Sequence, residues 1–271
     1  MNPPYSRLSE GVSLFGCGSS PRSRATIPMK KLVVVSIACC VLAGCATVNE
    51  MAMEKGDRAI DTTTKSILLM TVDVSRSDGS RYVPNPFVVK IEKPNAQNKE
   101  DRQNFKLDKD ADTVREGGRT IYLARMALEP GQYKLGDVTG NANAFPINSL
   151  FVIPLLLDLT VKPNSIAYIG RITAKLRPRQ EGEFRAGPVV PLIDQSITGM
   201  STGTWDVTVD DMSQKDIALF RATYPALTAA HIESTPLRPF DRLAVQRWLD
   251  GQRVDEQKTL TVPPSPPTGS R

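Results

Sequence analysis

Short apolar runs divided by turn residues dominate the chain from Ser66 onward. The runs 66–74, 86–92, 104–107, 119–128, 132–138, 149–161, 166–176 and 204–209 all read as strands. Alternation puts Ile121, Leu123 and Arg125 on one strand face, and Ile166, Tyr168, Gly170 and Ile172 on another. Turn residues separate the runs: Ser-Asp-Gly at 77–79, Pro-Gly at 130–131, Gly-Asn at 140–141 and Pro-Asn at 163–164. No helical pattern lies between the runs to carry parallel crossovers. The pattern therefore predicts a mainly β chain, an antiparallel β-sandwich over 65–210 with short C-terminal helices. The most apolar stretch, 150–161, contains Pro154 and Asp158 and is too short for a membrane-spanning helix. It reads as a buried strand or as two strands meeting at Pro154.

Helical periodicity enters only near the end, over 211–252. Ser213 with Asp216 matches a capping box, and Ile217 and Phe220 follow on one face until Pro225. Pro239 opens a second candidate helix, with Phe240, Leu243, Ala244 and Trp248 at helical spacing and Gly251 at its end. That stripe is expected to pack on the sandwich. Residues 253–271, with the Pro-rich run TVPPSPPTGSR, read as a disordered tail.

Ahead of the strands, residues 45–64 are polar and irregular and read as a tether. Residues 29–44 begin Met-Lys-Lys and continue through an apolar run, 32–43, to small residues, which is the layout of an export signal. As a helix that run rises about 18 Å, well short of the roughly 30 Å hydrocarbon core. Within it, Leu42-Ala43-Gly44-Cys45 resembles the lipobox of bacterial lipoprotein precursors. The resemblance implies cleavage between Gly44 and Cys45, acylation of Cys45 with palmitate-type chains, and a membrane partner reached through that lipid. Ala46, in place of Asp, implies sorting to the outer membrane, with the body either in the periplasm or at the surface. Cysteine occurs at 17, 39, 40 and 45 and nowhere later, so the retained cysteine is the one to be lipidated. Residues 1–28 read as an over-extended start ahead of Met29, with a genuine longer leader as the alternative.

Charge removes one class of partner. Residues 1–44 hold Arg7, Arg22, Arg24, Lys30 and Lys31 against Glu10 alone, so the formal charge of +5 belongs almost wholly to the leader. The rest is within one charge of neutral and is not expected to bind nucleic acid. Leu128-Glu129-Pro130-Gly131-Gln132-Tyr133-Lys134-Leu135 is similar to a pattern in prealbumin-like and carboxypeptidase-regulatory-like sandwich domains. There the Pro-Gly turn leads into a strand whose Tyr and Leu point inward. The similarity implies a fold and no activity.

Candidate chemistry is sparse. Gly199-Met200-Ser201-Thr202-Gly203 matches a nucleophile elbow, with His231, the only histidine, downstream as a base. Such an elbow needs a strand before Ser201 and a helix after it, whereas 204–209 reads as another strand. Asp108, Asp110 and Asp112 open like a calcium loop, but Thr113 and Arg119 stand where its glycine and closing glutamate belong. A single histidine excludes a multi-histidine metal site, and no cofactor motif is present. The expectation is a lipid-anchored cell-envelope protein with a non-catalytic structural or binding role and an envelope protein or glycan as partner. The alternatives are an anchored serine hydrolase using Ser201 and His231, and a calcium-dependent adhesion module.

Overall fold

A computed structural model describes residues 46–261, with side chains described for residues 46–252. Cys45, the signal-like segment and the last ten residues lie outside the described residues.

Eleven strands form two sheets. One runs in the order β1 (Thr47–Asn49), β4 (Arg102–Lys106), β3 (Pro84–Glu92), β7 (Gly131–Ala144), β8 (Ile147–Val161). The other runs β10 (Gly203–Asp210), β9 (Ile166–Pro178), β2 (Ser66–Arg76), β6 (Arg119–Leu128), β5 (Thr113–Glu116), with β11 (Glu233–Ser234) beside β9. After β2 the chain lays down strands two at a time, alternating between sheets. Among the described residues there are three α-helices, α1 (Leu192–Ile197), α2 (Ser213–Thr223) and α3 (Arg242–Thr261).

The strands expected from the apolar runs are all present, and the fold is mainly β and sandwich-like. Both sheets are mixed, because β2 pairs β9 in parallel and β1 pairs β4 in parallel. Crossing between sheets supplies the reversal that a helix supplies in a βαβ unit, so parallel neighbours arise without crossover helices. Tyr133 and Leu135 point into the core, as the Pro-Gly pattern implies.

Two local readings are corrected, and a third is decided between its alternatives. Gly140-Asn141 is no turn: β7 runs through it. A Cβ on Gly140 would strike the Phe151 ring and the Asn85 carbonyl, so the glycine serves close packing between strands. Residues 166–172 do not keep one alternation. Gly170, at φ 120°, sits at a register shift in the β2–β9 pairing. Ile166 and Tyr168 thus line the outer face while Ile172 joins the inter-sheet core. Stretch 150–161 is one strand, with Leu156 in the left-handed region at φ 51° after Pro154.

The stretch read as a tether joins the body. Thr47 pairs with Gln103, the Ala52 amide donates to the Arg125 carbonyl at 2.7 Å, and Met53 is buried. The polar pattern missed this because a three-residue edge strand and one methionine carry it. Asp216 also departs from its expected role. No side-chain cap bond forms at the start of α2, and Asp216 is instead fully buried. The last helix begins at Arg242, where Asp241 accepts the Ala244 amide at 2.9 Å as its cap, and it continues through Gly251. Its inward residues are Val245 and Leu249, while Leu243 and Trp248 are substantially exposed. The backbone stays helical to Thr261, inside the stretch read as a tail.

Two apolar layers result. The larger lies between the sheets. The smaller covers the outer face of β2, β6 and β9, where Ile67, Leu69, Leu123 and Tyr168 meet Phe220 and Tyr224 from α2 and its end. The open side between β8 and β10 is closed by the segment before α1. Ala186 donates to Gly203 and accepts from Val152, both at 2.8 Å, bridging the two sheets. In the amide orientation that satisfies both partners, buried Gln195 pairs with Leu150 N–H and C=O at 3.0 and 2.9 Å. The β8 edge is thereby blunted against pairing with another chain.

Candidate binding surfaces

The residues picked out for hydrolysis are not brought together. Ser201 follows α1 and precedes β10, the reverse of the strand–Ser–helix order an elbow requires. It is 1% exposed, and its hydroxyl has no partner. His231 is exposed just before β11. Gly203 pairs with Pro178 at one end of β9, and Glu233 with Ala167 at the other. At a rise of about 3.3 Å per residue, the Ser201 and His231 backbones are about 20 Å or more apart.

The three aspartates do not converge on a cation site either. Asp108 accepts the Asp110 and Ala111 amides at 2.7 Å, closing its own turn. Asp110 pairs with Lys109 at 3.0 Å, and Asp112 accepts the Asp108 amide while pairing with Arg125 at 2.7 Å. Among the described residues no group of three or more His, Cys, Asp or Glu is placed to hold a metal. Nor is any described helix long and apolar enough to cross a membrane.

Two arginines on the outer face of the β2–β6–β9 sheet hold the layer with α2 in place, and neither role is visible from spacing. Arg125, 2% exposed, donates to the Met53 and Leu123 carbonyls, Tyr224 and Asp112, and stacks 4.1 Å over the Tyr224 ring. Burial pushes the Tyr224 phenol up to about 12. Arg171 faces the same layer because the Gly170 bulge turns it outward. It pairs bidentately with Asp216 and reaches Glu116 at 2.9 Å. Thr71 and Tyr168 also donate to Asp216, at 2.5 and 2.6 Å. Arg125, Arg171 and Asp216 are buried charges tolerated because each is paired and hydrogen-bonded. Two neighbours are less well satisfied: burial pushes the Asp73 carboxyl up despite Arg119 and Arg171, and Oδ1 of Asp73 and Oε1 of Glu116 have no partner.

These environments set an acid response. The Arg171 hydrogen bond holds Glu116 below the usual carboxylate range, and the Arg177 hydrogen bond brings Glu183 down to about 2. A carboxyl with a depressed folded-state pKa stabilises the fold above its unfolded value and loses that contribution as pH falls through the folded value. Asp73 acts in the opposite sense, costing stability once ionised. Denaturant midpoints are therefore expected to hold from pH 7 to about pH 4.5 and to decline toward pH 2. Glu183→Gln should flatten that decline; an unchanged slope would count against the assignment.

Among the described residues, the surfaces open to a partner include the following three. A groove of about 680 Å³ lies on the β3–β4–β7–β8 sheet under α3, between Lys90, Arg102 and Leu156 below and Trp248 and Leu249 above, with Ala46 at its margin. At the far end, the β7–β8 hairpin and α1 expose Phe145 (97%), Val190 (78%), Ile193 (71%) and Leu192 (60%). The α1 helix is fastened to this end through Asp194, which accepts the Asn148 amide at 3.1 Å. Beside it opens a cleft of about 560 Å³ between the β2–β3 loop and the β5–β6 hairpin. Sequence reasoning found none of the three, since each joins segments far apart in the chain.

Comparison with protein families, curated proteins and solved structures finds no match.

Proposed function

We propose that the chain is a lipid-anchored protein of the bacterial cell envelope with a non-catalytic binding role. The observation that carries the reading is Leu42-Ala43-Gly44-Cys45 at the end of a lysine-led apolar run. The anchor would be acylated Cys45, the site an outer membrane facing the periplasm, and the partner an envelope protein or glycan. The first described strand starts at Thr47, two residues beyond that cysteine, so lipidation would hold the sandwich close to the bilayer. Several acyl chains bind far more firmly than one, whose attachment is marginal and reversible. Confinement at a surface then raises the local concentration of the body for partners there.

Support for binding over catalysis comes from the separation of Ser201 from His231 and from the exposed apolar tip. Thr47 is level with Ile91 and Leu135 across its sheet, and Pro84 pairs with Ala142. The tip end is therefore about 25 Å along the strands from Thr47. Exposed apolar side chains at that end would face away from an anchoring bilayer, as a protein-contact surface would. Cys45→Ser is expected to leave the precursor uncleaved and without labelled palmitate, read by metabolic labelling and intact mass. Labelling of that variant at the wild-type level would refute the anchor.

A further inference from the structure

We infer that the cleft between the β2–β3 loop and the β5–β6 hairpin binds a carboxylate-bearing glycan, an inference that deepens the binding role proposed above by naming its ligand class. Four cationic side chains line the cleft, Arg76, Lys109, Arg115 and Arg119, against one acid, Asp110. Their partners separate them. Arg76 is held by Asp78 at 2.6 Å and by the Tyr82 and Thr198 carbonyls, so it is a wall of the cleft. Arg119 pairs with buried Asp73 through Nη1 at 2.6 Å and is half exposed, which leaves guanidinium donors for a ligand. Among the described residues, Lys109 pairs only with its exposed neighbour Asp110. Arg115 is exposed, and among the described residues no carboxylate pairs with it. A cleft with one uncompensated guanidinium and a second partly free one selects an anion, and the planar fork of arginine matches a carboxylate.

The rest of the lining fits a sugar polymer. Ser75, Ser80, Asn85 and Thr120 bring hydroxyl and amide groups to the cleft, and Val83, 64% exposed, offers an apolar edge. Gly117 and Gly118 both have positive φ, forming the two-residue turn that joins β5 to β6. Nothing lies within 4 Å of a Cβ built on Gly79 or Gly118, so backbone lines the cleft at both points without side-chain cover. The cleft opens at the end of the sandwich where the apolar tip lies, about 25 Å along the strands from Thr47. If Cys45 is acylated, this end reaches away from the membrane toward the wall polymer, whose peptide stems carry carboxylates.

The test uses purified wall sacculi as probe, co-sedimented with the natively purified full chain in detergent at low salt. Wild-type protein is expected to sediment, with binding falling as salt rises. Arg115→Glu combined with Lys109→Gln should weaken binding at least about tenfold, and Arg115→Lys should retain most of it, with thermal melts of all three matching wild type because both positions are exposed. Sacculi whose carboxylates have been amidated should lose the protein. Failure of wild type to sediment, equal sedimentation of the charge-reversed variant, or undiminished binding to amidated sacculi would each overturn the inference. Cys45→Ser protein should sediment as wild type does. Palmitate labelling therefore tests the anchor separately, and loss of either result leaves the other standing.

Discussion

Replacing Asp216 by alanine is expected to lower the unfolding free energy by about 3–5 kcal/mol, the range for removing one partner of a buried ion pair. Asp216 is 0% exposed and accepts from Arg171, Thr71 and Tyr168. Without it Arg171, 4% exposed, keeps only Glu116, which Lys215 also contacts at 3.0 Å. The penalty is the uncompensated guanidinium and two orphaned hydroxyls, rather than the intrinsic value of the pair. Asp216→Asn retains acceptor capacity and should cost less. Arg171→Met with Asp216→Leu should recover part of the loss, because the charge itself is gone. Urea unfolding followed by circular dichroism reads all three; a loss below about 1 kcal/mol for Asp216→Ala would show that this layer does not depend on the pair.

Trp205→Ala is expected to cost about 3–5 kcal/mol by a different route, the cavity left by a large core side chain. Trp205 is 0% exposed on β10, packs edge-on to Phe151 of β8 at 5.2 Å, and donates to the Ala186 carbonyl at 3.3 Å. It joins the two sheets at the side that the Ala186 segment closes. Truncation therefore removes packing and a hydrogen bond where the Ala186 segment bridges the two sheets. Trp205→Phe keeps most of the volume and should cost less. Urea unfolding followed by circular dichroism measures the change independently of the lost fluorophore, and a cost near that of an ordinary surface substitution would contradict the bridging role.

Much of the fold was legible because strand formation here follows local apolar content. The runs from 66–74 to 204–209 each became strands, and Ile121, Leu123 and Arg125 do share a face. The illegible parts are those where a distant partner overrides a local rule. Gly140 reads as a turn until Phe151 is laid against it. Asp216 reads as a helix cap until Arg171 draws it inward. Met53 reads as part of a tether until the outer face of β6 supplies a pocket for it. The Ser201–His231 pairing failed for the same reason: spacing along a chain carries no information about opposite ends of a strand.

By itself the sequence determined the strand content, the absence of βα repeats, the near-neutral body and the placement of cysteine, since each depends on residue type and near neighbours. Only the tertiary structure decided which strands lie parallel, which charges are buried and paired, and which loops meet to form the cleft. Many of those outcomes depend on contacts between residues far apart in the chain, such as Thr47 with Gln103 and Thr71 with Asp216. Only a closed fold brings such residues within reach of one another.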